Sequence, residues 1–305
     1  MNAPRSIDEY LKQLRGALEG QDPALIQDAL YDAEEYLRAE VAAHPGKSEP
    51  DVLELIASTY GAPEEVAAAY KDTEAKVRAA LKTPPSKASS SPSALRRFFG
   101  IYLDPHAYTS LFYMLLALAT GIAYFTIVVT GVSLSLGLAI LIIGIPFFLA
   151  FIGIARVIAL GEGRLLEAIS GARMPRRPVH PGPAGSWWMR IGAMLKDGRT
   201  WTTLAYLVLM LPLGIVYFTV AVSGLAVSAA FIGAPFLLAA RHFGWTHFEA
   251  FEYNDQPWSP DHPFLSSILL FIAGVLLLTL LLHLARALIR GHAQLAKSLL
   301  VVPAG

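Results

Sequence analysis

The rhythm of apolar positions changes twice along this chain. From Ser6 to Leu81 apolar residues recur at helical spacing, from 83 to 93 they give way to Pro, Ser and Ala, and beyond residue 94 they merge into long uninterrupted runs. The first region is punctuated like four short helices. Ser6 and Glu9 have capping-box spacing ahead of Ile7, Leu11, Leu14 and Leu18. Asp22-Pro23 places a cap and an N1 proline before Leu25, Ile26, Ala29, Ala33, Tyr36, Leu37 and Val41. A third helix opens at Ser48 and stops at Gly61, and a fourth opens at Pro63 and carries Val66, Ala67, Tyr70 and Val77. The spacing therefore predicts a soluble helical domain over 1–82, joined through a Pro/Ser linker at 83–93 to the rest.

That rest predicts five membrane spans, near 108–130, 133–158, 201–223, 225–243 and 264–285, each close to the length that crosses ~30 Å of hydrocarbon. Uncharged turns are expected at Thr130-Gly131-Val132-Ser133 and Ser223-Gly224-Leu225-Ala226, which makes the first four spans two helical hairpins. The hairpins are copies. Ser93 to Ser135 aligns with Ser186 to Ser228 without a gap at an offset of 93, with 16 of 43 residues identical. Polar positions stay in register, among them Arg97/Arg190, Asp104/Asp197 and Thr109/Thr202, so apolar composition alone does not explain the match. After a four-residue deletion in the second copy, Ile143 to Phe147 resumes against Ile232 to Phe236. Two crossings per copy make this a parallel repeat. The expected fold is all-α: a polytopic helical membrane protein with a duplicated membrane region at 94–255, a fifth span and an amphipathic tail at 256–305, and a soluble head.

Composition agrees, at 54% hydrophobic and 16% charged, and the formal charge of zero hides an asymmetry. Residues 1–80 hold 16 acidic and 8 basic side chains, leaving 8 acidic and 16 basic for the membrane body. Arg96, Arg97 and the arginine-rich connection between Arg164 and Arg199 flank the spans, while the expected hairpin tips carry no charge. The positive-inside rule places head and connection in the cytoplasm of an inner membrane. Met1 to Asp8 lacks an apolar h-region, so insertion is expected through an internal span. Five spans would leave the C-terminus outside, although that tail carries Arg286, Arg290 and Lys297. The chain has no cysteine, which excludes thiol chemistry and cysteine-ligated metals.

Candidate chemistry is sparse. Between Ala107 and Ala155, and between Trp201 and Ala240, there is no Asp, Glu, Lys, Arg or His, which argues against ion-coupled transport. The repeated Gly-Ile-x-Tyr-Phe-Thr supplies a candidate ligand set between hairpins: Gly121, Tyr124, Thr126, Gly214, Tyr217 and Thr219. The same residues equally suit close helix packing. Pro146 and Pro235 are candidate hinges. Leu95, Phe98, Phe99, Tyr102 and Leu103, with Trp187, Trp188, Ile191, Met194 and Leu195 in the other copy, read as interfacial helices. The acidic head residues Asp28, Asp32, Glu34 and Glu35, and the basic Arg173, Arg176 and Arg177, are candidate partner-binding groups. His242, His247, Glu249, Glu252 and His262 cluster, but without a standard ligand spacing, so no metal is assigned. No nucleophile elbow, metalloprotease or phosphate-loop pattern is present, and neither catalytic residues nor a cofactor is expected.

Gly121 to Thr126, then Thr130 to Gly137, then Gly144-Ile145-Pro146-Phe147, resemble the sensor domain found as a four-span module in many bacterial histidine kinases; no kinase, phospho-acceptor His box or nucleotide-binding glycines follow here. Tyr31 to Leu37, Ser48 to Asp51 and Tyr60 to Tyr70 resemble the HAAS signalling domain of the DUF1700 proteins, cytosolic helical domains associated with PadR-type regulators. Together these resemblances imply a non-enzymatic signalling protein. Its membrane part would sense a membrane lipid, hydrophobic compound or membrane state, and its head would act on a PadR-type transcription regulator or another cytosolic protein, without direct nucleic-acid contact and with homo-oligomers allowed. The competing expectation is a permease subunit or an assembly scaffold.

Overall fold

The computed structural model describes residues 4–81, 93–140, 143–175, 192, 195–244, 252–253, 256–257 and 263–301. The head comprises α1 (Ile7–Ala17), α2 (Pro23–Ala43), α3 (Glu49–Thr59) and α4 (Pro63–Leu81). Its punctuation works as the spacing predicts. Ser6 Oγ accepts the Glu9 amide, Asp22 caps the Ala24 amide at 2.9 Å, and Gly61 takes the left-handed φ of 106° that separates α3 from α4. Tyr10, Leu14, Leu18, Ala33, Leu37, Val52 and Ile56 form one core. Tyr10 also donates its hydroxyl to the Gly61 carbonyl at 2.8 Å, which ties the first helix to the turn before the last.

Beyond the linker come α5 (Ala94–Phe99), a 3-10 turn at Gly100–Leu103, α6 (Pro105–Gly137), α7 (Gly144–Ser170), α8 (Gly198–His242) and α9 (Pro263–Leu300). A two-residue ribbon pairs Glu252 with Pro257 and Tyr253 with Gln256 ahead of α9. Among the described residues, four helices rather than five are long and apolar enough to cross a membrane: Pro105–Ile140, Pro146–Ser170, Gly198–Ala240 and Leu265–Leu300. Neither expected turn forms, because α6 runs through Thr130–Ser133 and α8 runs through Ser223–Ala226. The physical reason is that small residues in an apolar helix keep the helical ladder intact, whereas a turn in hydrocarbon would strand backbone groups. Ser135 even returns its hydroxyl to the Gly131 carbonyl, at 2.6 Å. The α-helix does end at Gly137 and passes into a 3-10 turn at Leu138–Ile140, close to where the first copy holds the four residues that the second copy lacks.

The glycines at those positions serve contacts instead. A Cβ on Gly131 would strike the ring of Phe151, and one on Gly224 would meet Leu281 Cδ1 at 2.8 Å. These two contacts are equivalent, 93 residues apart on the first partner and 130 on the second. The ion pairs follow the same rule, since Asp104 binds Arg286 and Asp197 binds Arg156. The structural copy of α7 is therefore α9, not the second half of α8. In that register Gly144, Ala155, Arg156, Gly161 and Leu165 meet Gly274, Ala285, Arg286, Gly291 and Leu295.

The closest approach is reciprocal. A Cβ on Gly121 would lie 2.5 Å from the Met210 carbonyl oxygen and 3.0 Å from Leu211 Cα, and one on Gly214 would strike the Ala117 carbonyl and lie 3.0 Å from Leu118 Cα. Met210 and Leu211 are the copies of Ala117 and Leu118, so α6 and α8 cross backbone to backbone through the same three positions of the repeat. Replacing Gly121 or Gly214 by Ala should lower the thermal midpoint in detergent, at about 1–3 kcal/mol for an overpacked contact. Gly153 of α7 has open space around its Cα, and Gly153→Ala should leave the midpoint unchanged or raise it.

Candidate functional site

Two sets of polar side chains stand out in the membrane body, and one of them reaches the head. Gly171 ends α7 with a left-handed φ of 71° and turns the chain so that Arg173 leaves the helix. Met174 beside it is fully buried and fixes this short segment. Arg173 then meets Asp28 of α2 at 3.3 Å and Glu74 of α4. Side-chain exposure is only 17% for Arg173, 8% for Asp28 and 11% for Glu74, so these charges are largely out of water and depend on one another. A second pair joins Lys297, near the end of α9, to Asp22 at 2.6 Å. Asp22 thus caps α2 with one carboxylate oxygen and takes Lys297 with the other. The head is held at three carboxylates by two cations from separate parts of the chain.

The other acidic candidates have local roles. Asp32 accepts the Tyr70 hydroxyl at 3.0 Å, and burial, with Asp32 adding to it, pushes the Tyr70 pKa up, so that Tyr70 stays a neutral donor. Glu34 pairs with Arg38 at 2.8 Å, and Glu35 is exposed. Arg176 and Arg177 lie outside the described residues, as do Trp187, Trp188, Ile191, Met194, His247, Glu249, His262 and most of the linker.

Beside the Arg173 segment lies a cleft of about 60 Å³. Its polar end is made by Arg156, Asp197, Arg199 and Thr203, and Leu160, Met174 and Leu300 supply apolar wall. Arg156 Nη2 lies 3.5 Å from Asp197 and donates to Thr200 Oγ1 at 3.2 Å, while Arg199 Nε is 4.0 Å from the same carboxylate. Asp197 also accepts the Arg199 amide at 3.1 Å, capping α8. Two guanidiniums therefore share one carboxylate. The equivalent Asp104 instead sits with Arg286 against α5 and the 3-10 turn. There the Tyr102 hydroxyl lies 2.9 Å from Thr279 and donates to Val275 at 3.2 Å, and a His283 ring nitrogen is 3.0 Å from the Phe98 carbonyl. Leu95 and Leu103 point outward from this segment.

The ligand set inferred from the repeat is divided. Gly121 and Gly214 are spent on the helix crossing, Tyr217 is buried and Tyr124 half-buried, and Thr126 and Thr219 lie on the exposed side, where Thr126 donates to the Ile122 carbonyl at 2.7 Å. The crossing leaves no room for a ligand at the glycines. Pro146 lies in the first turn of α7, where its missing amide costs little, so it kinks nothing there; Pro235 lies inside α8, together with Pro212. Lys297, Arg156 and Glu74 were not singled out from the sequence. The positive-inside conflict of the basic tail was the available signal for Lys297.

The pairing at Arg173 can be broken by one substitution. Arg173→Gln should remove the cation that Asp28 and Glu74 share and weaken docking of the head by up to about 3 kcal/mol. The chain has no native cysteine, so bis-maleimide cross-linking of Asp22→Cys to Lys297→Cys reads docking cleanly. The yield should fall several-fold with Arg173→Gln and recover in part when Asp28→Asn and Glu74→Gln are added.

The comparisons bear on the membrane part. The family model described as "Putative sensor" matches residues 113–300, from α6 through α9. No curated protein and no solved structure matches the chain. The matched region is more than half of the sequence and contains the glycine crossing, both repeated Asp–Arg partners Arg156 and Arg286, and Arg173 and Lys297; the chain belongs to this sensor family of membrane proteins.

Proposed function

We propose that this chain is a bacterial inner-membrane sensor in which the membrane helices control whether the N-terminal head is docked or free, and that the free head acts on a cytosolic regulator. The observation that carries this reading is the pairing of Arg173 with Asp28 and Glu74, reinforced by Lys297 with Asp22. Both cations belong to the region matched by the sensor family, and all three carboxylates belong to the head. A shift of α7 or α9 therefore moves the groups that hold the head, which is joined to them in sequence through the Pro/Ser stretch at 83–93.

The direction of the relay rests on the resemblance of the head to the HAAS domain, which suggests a PadR-type regulator as the partner class. The acidic surface of α2 and α4 is the surface that undocking uncovers, and it suits a basic partner. With head, arginine-rich connection and tail on one side, the positive-inside rule assigns that side to the cytoplasm and puts N- and C-termini there together. No reacting constellation was found in the sequence, so the role is assigned to binding and conformation rather than to catalysis.

The test is a direct binding measurement on the full chain in nanodiscs. A purified PadR-type regulator should bind the Arg173→Gln variant several-fold more tightly than the parent, because the variant no longer spends the acidic face on docking. Equal affinity for both, or binding to neither, contradicts the relay. Self-association through the head without regulator binding supports a scaffold instead.

A further inference from the structure

We propose that the cleft beside Arg173 is the binding site for the phosphate headgroup of an anionic membrane lipid. The inference rests on the sensor reading above and supplies the class of molecule to be sensed. The first reason is depth. The uncharged part of α8 begins at Trp201, so Asp197 and Arg199 stand at the edge of its apolar zone, where headgroups lie, and the contact with Asp197 holds Arg156 at the same level. Trp201, exposed and with its Nε1 donating to the Leu195 carbonyl at 2.9 Å, has the placement of an interfacial anchor.

The second reason is charge. Arg156 and Arg199 share the single carboxylate of Asp197 at 3.5 and 4.0 Å, longer than the ~2.7–2.9 Å of a committed charge-assisted hydrogen bond. The three groups sum to one positive charge, and the guanidinium forks remain able to take a phosphate. Thr203 adds a hydroxyl at the same end of the cleft. The third reason is the apolar wall of Leu160, Met174 and Leu300, which a free phosphate would not use and the first carbons of an acyl glycerol would.

The cleft also touches the latch. Gln27 and Met174 line it, and their chain neighbours are Asp28 and Arg173, which form the head-docking pair. A headgroup entering between Arg156 and Arg199 presses on the residues flanking that pair, so occupancy and docking are coupled through one residue on each side.

The test uses the full chain in a neutral maltoside detergent, titrated separately with lysophosphatidylglycerol, lysophosphatidylcholine and inorganic phosphate. Lysophosphatidylglycerol should bind at least about tenfold more tightly than the zwitterionic lipid, and Arg156→Gln or Arg199→Gln should each lose about tenfold, as expected for a hydrogen bond to a charged group. Leu160→Trp, which fills the apolar wall without changing charge, should also block binding, so the proposal survives if an arginine variant fails to fold. Arg173→Gln, which undocks the head, should shift the affinity through that coupling but keep the preference for the anionic headgroup. Equal binding of the two lipids, or full affinity in both arginine variants and Leu160→Trp, overturns the site. Inorganic phosphate binding as tightly as the lysolipid overturns the lipid assignment in favour of a soluble anion. Cross-linking from 22 to 297, measured in the same titration, separates this inference from the docking reading. Lipid binding without any change in yield retains the site and removes its sensing role. A salt-sensitive yield without lipid binding retains the latch and removes the site.

Discussion

The backbones of α6 and α8 touch at Gly121 and Gly214, and the packing of these two helices is organised around that contact. Apolar surface gives helices in lipid no reason to associate, because the lipid tails are as apolar as they are. What remains is close packing, and close packing here needs two positions without a side chain. The repeat provides both from one ancestral glycine, and it provides the receiving surface, Ala117-Leu118 and Met210-Leu211, from one ancestral pair. A reciprocal contact of this kind is what a self-complementary interface produces when its two halves are joined in one chain.

Outside that crossing the two copies have diverged, and the divergence is where function enters. Asp104 and Asp197 both keep an arginine partner, but Asp197 has to serve both Arg156 and Arg199, at longer range, and borders a cleft. The extension of α9 past Ala285 by some fifteen residues, about 22 Å, brings Lys297 beyond the apolar zone to the head. The same register in α7 ends in Gly171 and the turn to Arg173. Both second helices of the repeat therefore end in a cation that holds the head.

Much of this was legible in the sequence. Four head helices followed from Ser6, Asp22-Pro23, Gly61 and Pro63, because caps and left-handed turns are local chemistry that a sequence states directly. The repeat and its glycines were equally legible, and so was the choice between ligand and packing, though not its outcome at Gly121. The number of crossings was not legible. Gly131 and Gly224 stand among Thr and Ser residues and look like turns, yet whether a glycine bends a chain or admits Phe151 or Leu281 depends on a helix elsewhere in the sequence. Aligning Ile143 to Phe147 with Ile232 to Phe236 followed the stronger local similarity and hid the match of α7 with α9, which rests on five scattered identities. The span expected near 264–285 coincides with α9, but reading 201–243 as two spans instead of the single α8 put the basic tail opposite the head and concealed Lys297 as a partner of Asp22.

On the proposed reading, Arg173 holds the head in a single docked position from which it is released. Double electron–electron resonance tests this most directly, on the full chain in lipid nanodiscs with spin labels at Glu54→Cys on α3 and Ser298→Cys on α9, both exposed positions. The account predicts one narrow distance distribution for the parent and a broad, longer one for Arg173→Gln. A distribution of the same width and centre in both proteins would contradict it.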